Sequence, residues 1–233
     1  MANRVMRGSR LGSVSYETNR NDNLAARQIA RYRTADGGEF DIPLADDAQS
    51  MNNRQVTAAA MRGELDFAES LRARVATLKG LPVEVLAAVR KEITLTPGVA
   101  ELLAWVAEHG HVMALVSGGF HEVIDPLAAA LGIRHVRANR LAVAEGKLTG
   151  EVFGPIIDRA GKAIAMRQFA AQEDIPLGAT IAIGDGANDL DMLALAGLSV
   201  AFAAKPIVAE RADVSLPGPR LDDFLPLLAI TRG

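Results

Sequence analysis

Cysteine is absent from all 233 residues, which excludes a disulfide framework and a thiolate zinc site and leaves the redox compartment undecided. Histidine is scarce, and the four present form no ligand pattern. No window reaches the roughly 18 uninterrupted apolar residues of a membrane span. Residues 1–10 carry arginines without an apolar h-region, so a secretory signal is not expected either. These absences leave a cytoplasmic protein with no membrane partner as the expectation. Internal repeats and low-complexity stretches are missing as well. What is present, 49% hydrophobic and 23% charged residues, is an ordinary globular composition. The length suffices for one or two domains with a real core.

Lysine is also missing from the first 34 residues, and acids are sparse there. Seven arginines face only Glu17 and Asp22, a balance of +5, so with a net charge of -3 the remainder carries -8. A basic arm of this kind suits contact with an acidic protein surface or nucleic acid; the alternative is a solvated tail.

The texture divides the chain into a basic arm with a short hairpin over residues 1–54, a helical unit over 55–96 and an α/β core over 97–233. In the first part, strands are expected over 28–34 and 39–44, joined by Ala35-Asp36-Gly37-Gly38. In the second, Asp66 and Glu69 form an Asp-x-x-Glu capping box. Phe67, Leu71, Val75 and Leu78 then share one helical face. Gly80 ends that helix, and Pro82 suits the first turn of the next, which runs to about Ile93.

After Thr96-Pro97-Gly98, helices and short apolar strands alternate. Helix 99–108 leads to strand 112–116, and a helix over 124–131 leads to the Val136 region. Residues 140–153 read as a hairpin turning at Glu145-Gly146. A helix over 162–172 precedes strand 180–183, followed by helix 190–196 and strand 198–203. This order predicts an open, mostly parallel α/β sheet with helices on both faces, whose ligands bind beyond the carboxyl ends of the strands.

Three polar sets lie at those ends. Strand 112–116 ends in Ser117-Gly118-Gly119, a hydroxyl with backbone N–H groups able to cradle an oxyanion. Lys162 follows Gly161 at a helix start. Strand 180–183 ends in Asp185 and Asp189, oxygen ligands of the kind magnesium prefers. Together they make a phosphoryl-transfer constellation. Singly each has a structural alternative: a plain turn, a solvated helix residue, a pair of helix caps. Two other phosphate motifs fail. Gly184-Asp185-Gly186 lacks the third glycine of a dinucleotide fingerprint, and Gly161-Lys162-Ala163 lacks the earlier glycine and the Ser or Thr of a P-loop.

Six stretches carry a resemblance that extends from about Val56 to the end. They are Met61-Arg62-Gly63-Glu64-Leu65-Asp66-Phe67, Ser70-Leu71-Arg72-Ala73-Arg74-Val75, Val116-Ser117-Gly118-Gly119-Phe120, Ala138-Asn139-Arg140-Leu141, Gly146-Lys147-Leu148-Thr149-Gly150 and Gly184-Asp185-Gly186-Ala187-Asn188-Asp189. Together they resemble the bacterial phosphoserine phosphatases of the haloacid dehalogenase superfamily. The resemblance implies an open parallel sheet with a helical cap, and hydrolysis of O-phospho-L-serine, the last step of serine biosynthesis, with Mg²⁺ as cofactor. It implies that Ser117 and Gly118 bind the transferring phosphoryl group and that Lys162 neutralises it. Asp185 would ligate Mg²⁺, with Asn188 and Asp189 holding the site in order. Met61, Phe67 and Arg74 match residues that contact the amino acid part of the substrate, Arg74 through a bidentate pairing with its carboxylate.

The same resemblance exposes a gap. The family's catalysis starts from an Asp-x-Asp-x-Thr motif at the end of the first strand, whose aspartates serve as nucleophile and as general acid and base. No Asp-x-Asp-x-Thr or Asp-x-Asp-x-Ser occurs in this sequence. The nearest imitation is Asp46-Asp47-Ala48-Gln49-Ser50, with alanine where the acid/base belongs and only ten positions between Asp46 and Val56. The central first strand is therefore expected to be missing or replaced, with a destabilised or rearranged core, and the hydrolysis to be impaired; the alternative is a remnant that binds phosphate or phosphoserine without catalysis. Residues 39–44 offer a replacement, but Pro43 cannot donate to a ladder and argues against a central position.

The opening run MANRVMRGSRLGSVSYETNR, with LAARQIARY from Leu24 and FDIPLADDA from Phe40, resembles the start of the actinobacterial RNA-polymerase-binding family RbpA. The likeness stops near Gln49, before the rest of that family's barrel and its sigma-binding helix. It implies a chimera, and an RNA polymerase contact through residues 1–49 with no direct nucleic-acid contact.

Overall fold

The computed structural model describes residues 67–226 and, upstream, the backbone of three strands: β1 (Ser15–Glu17), β2 (Gln28–Arg33) and β3 (Glu39–Ala45). The chain divides into two units, Met1–Thr77 and Leu78–Gly233.

In the first unit the three strands form an antiparallel sheet in the order β1-β2-β3, one strand more than the expected hairpin. Pro43 lies opposite Ile29, beside a register shift, on edge strand β3. An edge is where a residue without an N–H is tolerated, and among the described residues β3 pairs with β2 alone. Helix α1 (Phe67–Ala76) follows, with Leu71 and Val75, four residues apart, both buried. Asp66 and its capping box lie outside the described residues.

The second unit opens with a correction. Pro82 is not in a helix; it bridges Lys147 in antiparallel fashion, three residues before α2 (Val85–Glu92). The bridge forms because donors around Pro82 do its work: Gly80 N donates to Leu148 O, Leu148 N to Leu81 O and Val83 N to Gly146 O. Helix α3 (Val99–Glu108) has the expected bounds. Strand β4 (Ala114–Phe120) runs on through Ser117-Gly118-Gly119 rather than ending at Val116. Next comes α4 (His121–Ala130), which holds Pro126 in its interior. Proline cannot donate to the carbonyl four residues back, and that carbonyl, Glu122 O, accepts from Arg90 Nη1 instead at 2.8 Å.

Strands β5 (His135–Ala144) and β6 (Lys147–Phe153) form the expected hairpin. Its turn places Glu145 and Gly146 at φ 49° and 71°, the paired positive angles of a two-residue turn matched to strand twist. Helix α5 (Arg159–Gln172) leads to β7 (Ile181–Gly184), α6 (Leu190–Leu193), β8 (Leu198–Phe202), α7 (Pro206–Ala209) and β9 (Val214–Leu216). Only the last part of the helix expected over 190–196 is non-helical, and a 3-10 turn, Ala187–Asp189, precedes it.

The parallel sheet is divided. β4 pairs in parallel with β5, which pairs antiparallel with β6; β7, β8 and β9 form a separate, all-parallel sheet. Among the described residues no strand joins β4 to β7. Helices cover both faces of the second sheet. On β8, Val200 packs with Leu102 and Phe224, while its neighbour Ala201 packs with Met166, Leu193 and Val208. Adjacent strand residues point to opposite faces, so a strand with no exposed face must be apolar on both. No helix among the described residues is long and apolar enough to cross a membrane.

Candidate functional site

The site is built around a turn that only glycine permits. A Cβ on Gly184 would lie 2.6 Å from the Cβ of Asp189, so strand β7 can end beneath this aspartate only because residue 184 has no side chain. Asp189 then folds back: its Oδ2 accepts from the backbone N–H groups of Asp185 at 3.2 Å and Gly186 at 3.0 Å. Its other oxygen, Oδ1, accepts from Lys162 Nζ at 2.5 Å. Both members are buried, their side chains 9% and 4% exposed. A charge this deep persists only when paired and hydrogen-bonded. Asp189 therefore links the 184–189 turn to α5, and its carboxylate is fully committed.

Lys162 owes its place to the start of α5, where Asp158 caps the helix by accepting from Gly161 N at 2.7 Å. Its ammonium has three protons, of which the contact with Asp189 uses one. Asp185, by contrast, is exposed, and the side-chain bond that involves it is made by its backbone N–H. Asn188 is half-buried in the Ala187–Asp189 turn.

Ser117 lies on the irregular part of β4. The register with β5 runs from Val116↔Arg137 directly to Phe120↔Asn139, so three residues of β4 are spent against one of β5. Within this bulge Ser117 Oγ accepts from Gly119 N at 3.0 Å, which leaves the hydroxyl proton free to donate. Val116 packs against the cluster formed by Met166, Ala182 and Leu190, and α5 packs against β4 and against the Ala187–Asp189 turn. Strand β4, helix α5 and the turn after β7 thus pack around one core.

Two other expected site residues, Phe67 and Arg74, belong to the first unit. Phe67 opens α1 and Arg74 lies in its last turn, where Nε donates to Ser70 O at 3.4 Å. Met61 and Asp46 lie outside the described residues.

Among the described residues, no three His, Cys, Asp or Glu side chains converge to hold a metal ion. Magnesium, however, takes one or two protein carboxylates and fills the rest of its shell with water and phosphate oxygens. Asp185, with its carboxylate exposed, fits the one-carboxylate form of that arrangement.

One residue of the matching stretch Ala138-Asn139-Arg140-Leu141, to which the resemblance gave no role, stands out. Asn139 is fully buried at 0% exposure, its Nδ2 donating to Gly118 O and its Oδ1 accepting from Ile157 N, both at 2.8 Å. Its place in the strand, between Ala138 and Arg140, does not disclose the role, because its partners are 21 and 18 residues away.

The profile of the haloacid dehalogenase-like hydrolases matches residues 22–194. This chain belongs to that family. As a haloacid dehalogenase-like hydrolase it is similar to the phosphoserine phosphatase of Streptomyces coelicolor, 54% identical over 178 residues, covering 76% of this chain and 43% of that protein. It is also similar to phosphoserine phosphatase SerB2 of Mycobacterium tuberculosis, 52% identical over 178 residues, covering 76% of this chain and 44% of that protein. The chain thus spans less than half the length of these two relatives. Among solved structures, a phospho-aspartyl intermediate analogue of phosphoserine phosphatase superposes with a TM-score of 0.70 at 40% identity, covering 76% of this chain and 85% of that one. The family match begins ahead of Val56 and takes in Asp46 and Asp47.

Proposed function

We propose that this chain is a phosphomonoester hydrolase of the phosphoserine phosphatase type, acting on O-phospho-L-serine with magnesium, and that its turnover is impaired. The observation that carries the reading is the buried Lys162–Asp189 pair beneath the exposed carboxylate of Asp185. Two protons of the Lys162 ammonium remain for phosphoryl oxygens, while Asp189 holds that ammonium and the Asp185 turn at one spacing. Ser117, its oxygen engaged by the Gly119 amide, donates its hydroxyl proton to the same group. Magnesium held by Asp185 would neutralise charge on the phosphoryl oxygens. Arg74 is the guanidinium suited to the carboxylate of the substrate, with Met61, Phe67 and Asn188 as its other contacts.

The impairment follows from the sequence. One relative is described as a phospho-aspartyl intermediate analogue, chemistry that requires an aspartate as nucleophile. This chain has no Asp-x-Asp-x-Thr, and Asp46-Asp47-Ala48 lacks the acid/base. General acid–base catalysis alone contributes about 10²- to 10⁴-fold. Phosphate release from O-phospho-L-serine with Mg²⁺, compared with the Streptomyces coelicolor relative, tests both parts. At least about 100-fold slower release is expected. Equal rates would remove the impairment, and failure to bind either phosphate or phosphoserine would remove the site.

A second reading rests on the separate antiparallel sheet of the first unit and its +5 arm. In it the chain is a chimera whose RbpA-like residues 1–49 contact RNA polymerase. Co-sedimentation of the full chain with polymerase tests it, and absence of binding removes it.

A further inference from the structure

The bulge in β4 releases backbone groups that a regular ladder would have paired. Between Val116↔Arg137 and Phe120↔Asn139 the carbonyl of Gly118 is one of these. A carbonyl removed from its ladder and from water needs another donor. Asn139 Nδ2 supplies it at 2.8 Å. The same side chain accepts, through Oδ1, the N–H of Ile157 at 2.8 Å. Ile157 immediately precedes Asp158, the cap of α5, the helix that carries Lys162. The amide orientation follows from its partners: a carbonyl can only accept, and a backbone N–H can only donate.

Strand β5 is itself held where Asn139 leaves it. Ala138 N donates to His121 Nε2 at 3.1 Å and Leu141 N to Glu122 Oε2 at 3.2 Å, both side chains belonging to the first turn of α4. Asn139 is thus a short, fully enclosed strut on a fixed base, with one end on the Ser117 bulge and the other on the approach to Lys162.

We propose that Asn139 is a positioning residue for the phosphate site, setting the spacing between the Ser117-Gly118-Gly119 bulge and the start of α5. The inference rests on the phosphate-binding reading above. Asn139 touches neither phosphate nor metal; it acts through Gly118 and Ile157. Replacement by aspartate keeps the acceptor for Ile157 but turns a second acceptor toward Gly118 O, pushing the bulge away. Replacement by alanine removes both struts.

Calorimetric titration of inorganic phosphate into the full chain tests this, using wild type, N139D, N139A, S117A and S117A/N139A, with a thermal melt of each. Wild type should bind, and N139D and N139A should bind at least tenfold more weakly. S117A/N139A should bind more weakly than S117A, but by a smaller factor than N139A weakens the wild type, because one of the two struts ends on the bulge that S117A already disables. A general loss of folding would instead add in full to the effect of S117A. For variants that do not fold, the wild-type protein answers. The Asn139 side-chain amide resonance should shift on phosphate addition with the same saturation as the Gly118 and Gly119 amides. Equal phosphate affinity in N139D and wild type, additive losses in the double variant, or an Asn139 resonance that stays still while Gly118 moves would each overturn the positioning role. Wild type failing to bind phosphate would overturn the functional reading itself, a distinguishable result.

Discussion

Lys162 and Asp189 are the two charged side chains buried among the described residues, and they lie against each other at 2.5 Å. Breaking such a pair leaves one buried charge uncompensated, at a cost of about 3–5 kcal/mol, whereas replacing both members by apolar groups is often neutral. Asp189→Asn should therefore destabilise the protein by that amount in urea denaturation, and K162M/D189L should recover part of it. Recovery will be incomplete because the amides of Asp185 and Gly186 also lose their acceptor. A D189N protein within about 1 kcal/mol of wild type would show that the pair is not what holds the turn.

Gly98→Ala should be among the most damaging single-methyl additions. Gly98 has φ +87°, and its added Cβ would lie 2.0 Å from Asp222 Oδ1 and 2.6 Å from Asp222 N. The left-handed conformation costs a non-glycine residue about 1–2 kcal/mol. The clash with backbone adds to this and cannot be relieved by rotating a side chain. A loss above about 2 kcal/mol is expected, and G98A/D222A should regain only the part owed to the carboxylate. Full rescue by D222A would place the whole strain in the side chain.

The legibility of the fold follows how local each cause is. Glu145-Gly146 marks its own turn, and the amphipathic pattern of α3 marks its own bounds. The α/β class follows from the alternation after Gly98. The pairing of the described strands into separate sheets depends on contacts between distant segments, which no local pattern encodes. The bridge at Pro82 was not readable, because a proline ahead of a helical pattern looks the same whether or not a distant hairpin pairs with its neighbours. At the site, Asp185 and Asp189 after an apolar strand and Lys162 at a helix start are visible from their positions alone. That Asp189 would spend both its oxygens inward, and that Asn139 would span 21 and 18 residues to tie two loops, depends on tertiary distances no local spacing encodes.

Acid stability should depend on Asp213. Its carboxyl is held below the usual value first by the Ser199 hydroxyl, then by the Ser199 backbone N–H, with Oδ2 accepting from Oγ at 2.6 Å and from N at 2.8 Å. A depressed folded-state pKa means stability that is fully present above the unfolded value, about 3.9. It is lost as the pH falls through the folded one. Asp213→Asn should thus be less stable than wild type at neutral pH, with the difference shrinking below about pH 4. Urea denaturation across that range checks it, since the depressed Asp222 beside Arg220 is common to both proteins and cancels. A difference independent of pH would mean that the amide replaces the carboxylate fully.

The carboxylates at positions 46 and 185 should behave oppositely in turnover. Asp46 precedes Val56 by only ten positions, and even a mean helix of about 11–12 residues would not fit between it and the following helical unit. Alanine, moreover, stands where an acid/base is needed. Asp185, beside the buried pair, has an exposed carboxylate, of the hard oxygen kind to which the proposed function assigns magnesium. Whatever phosphate release the wild type shows from O-phospho-L-serine should therefore be unchanged in Asp46→Asn. In Asp185→Asn it should lose its dependence on added Mg²⁺. Measured side by side across a magnesium titration, a large loss in D46N would make Asp46 the nucleophile after all. Such a loss would also mean that the matched range from residue 22 carries the catalytic strand in altered form.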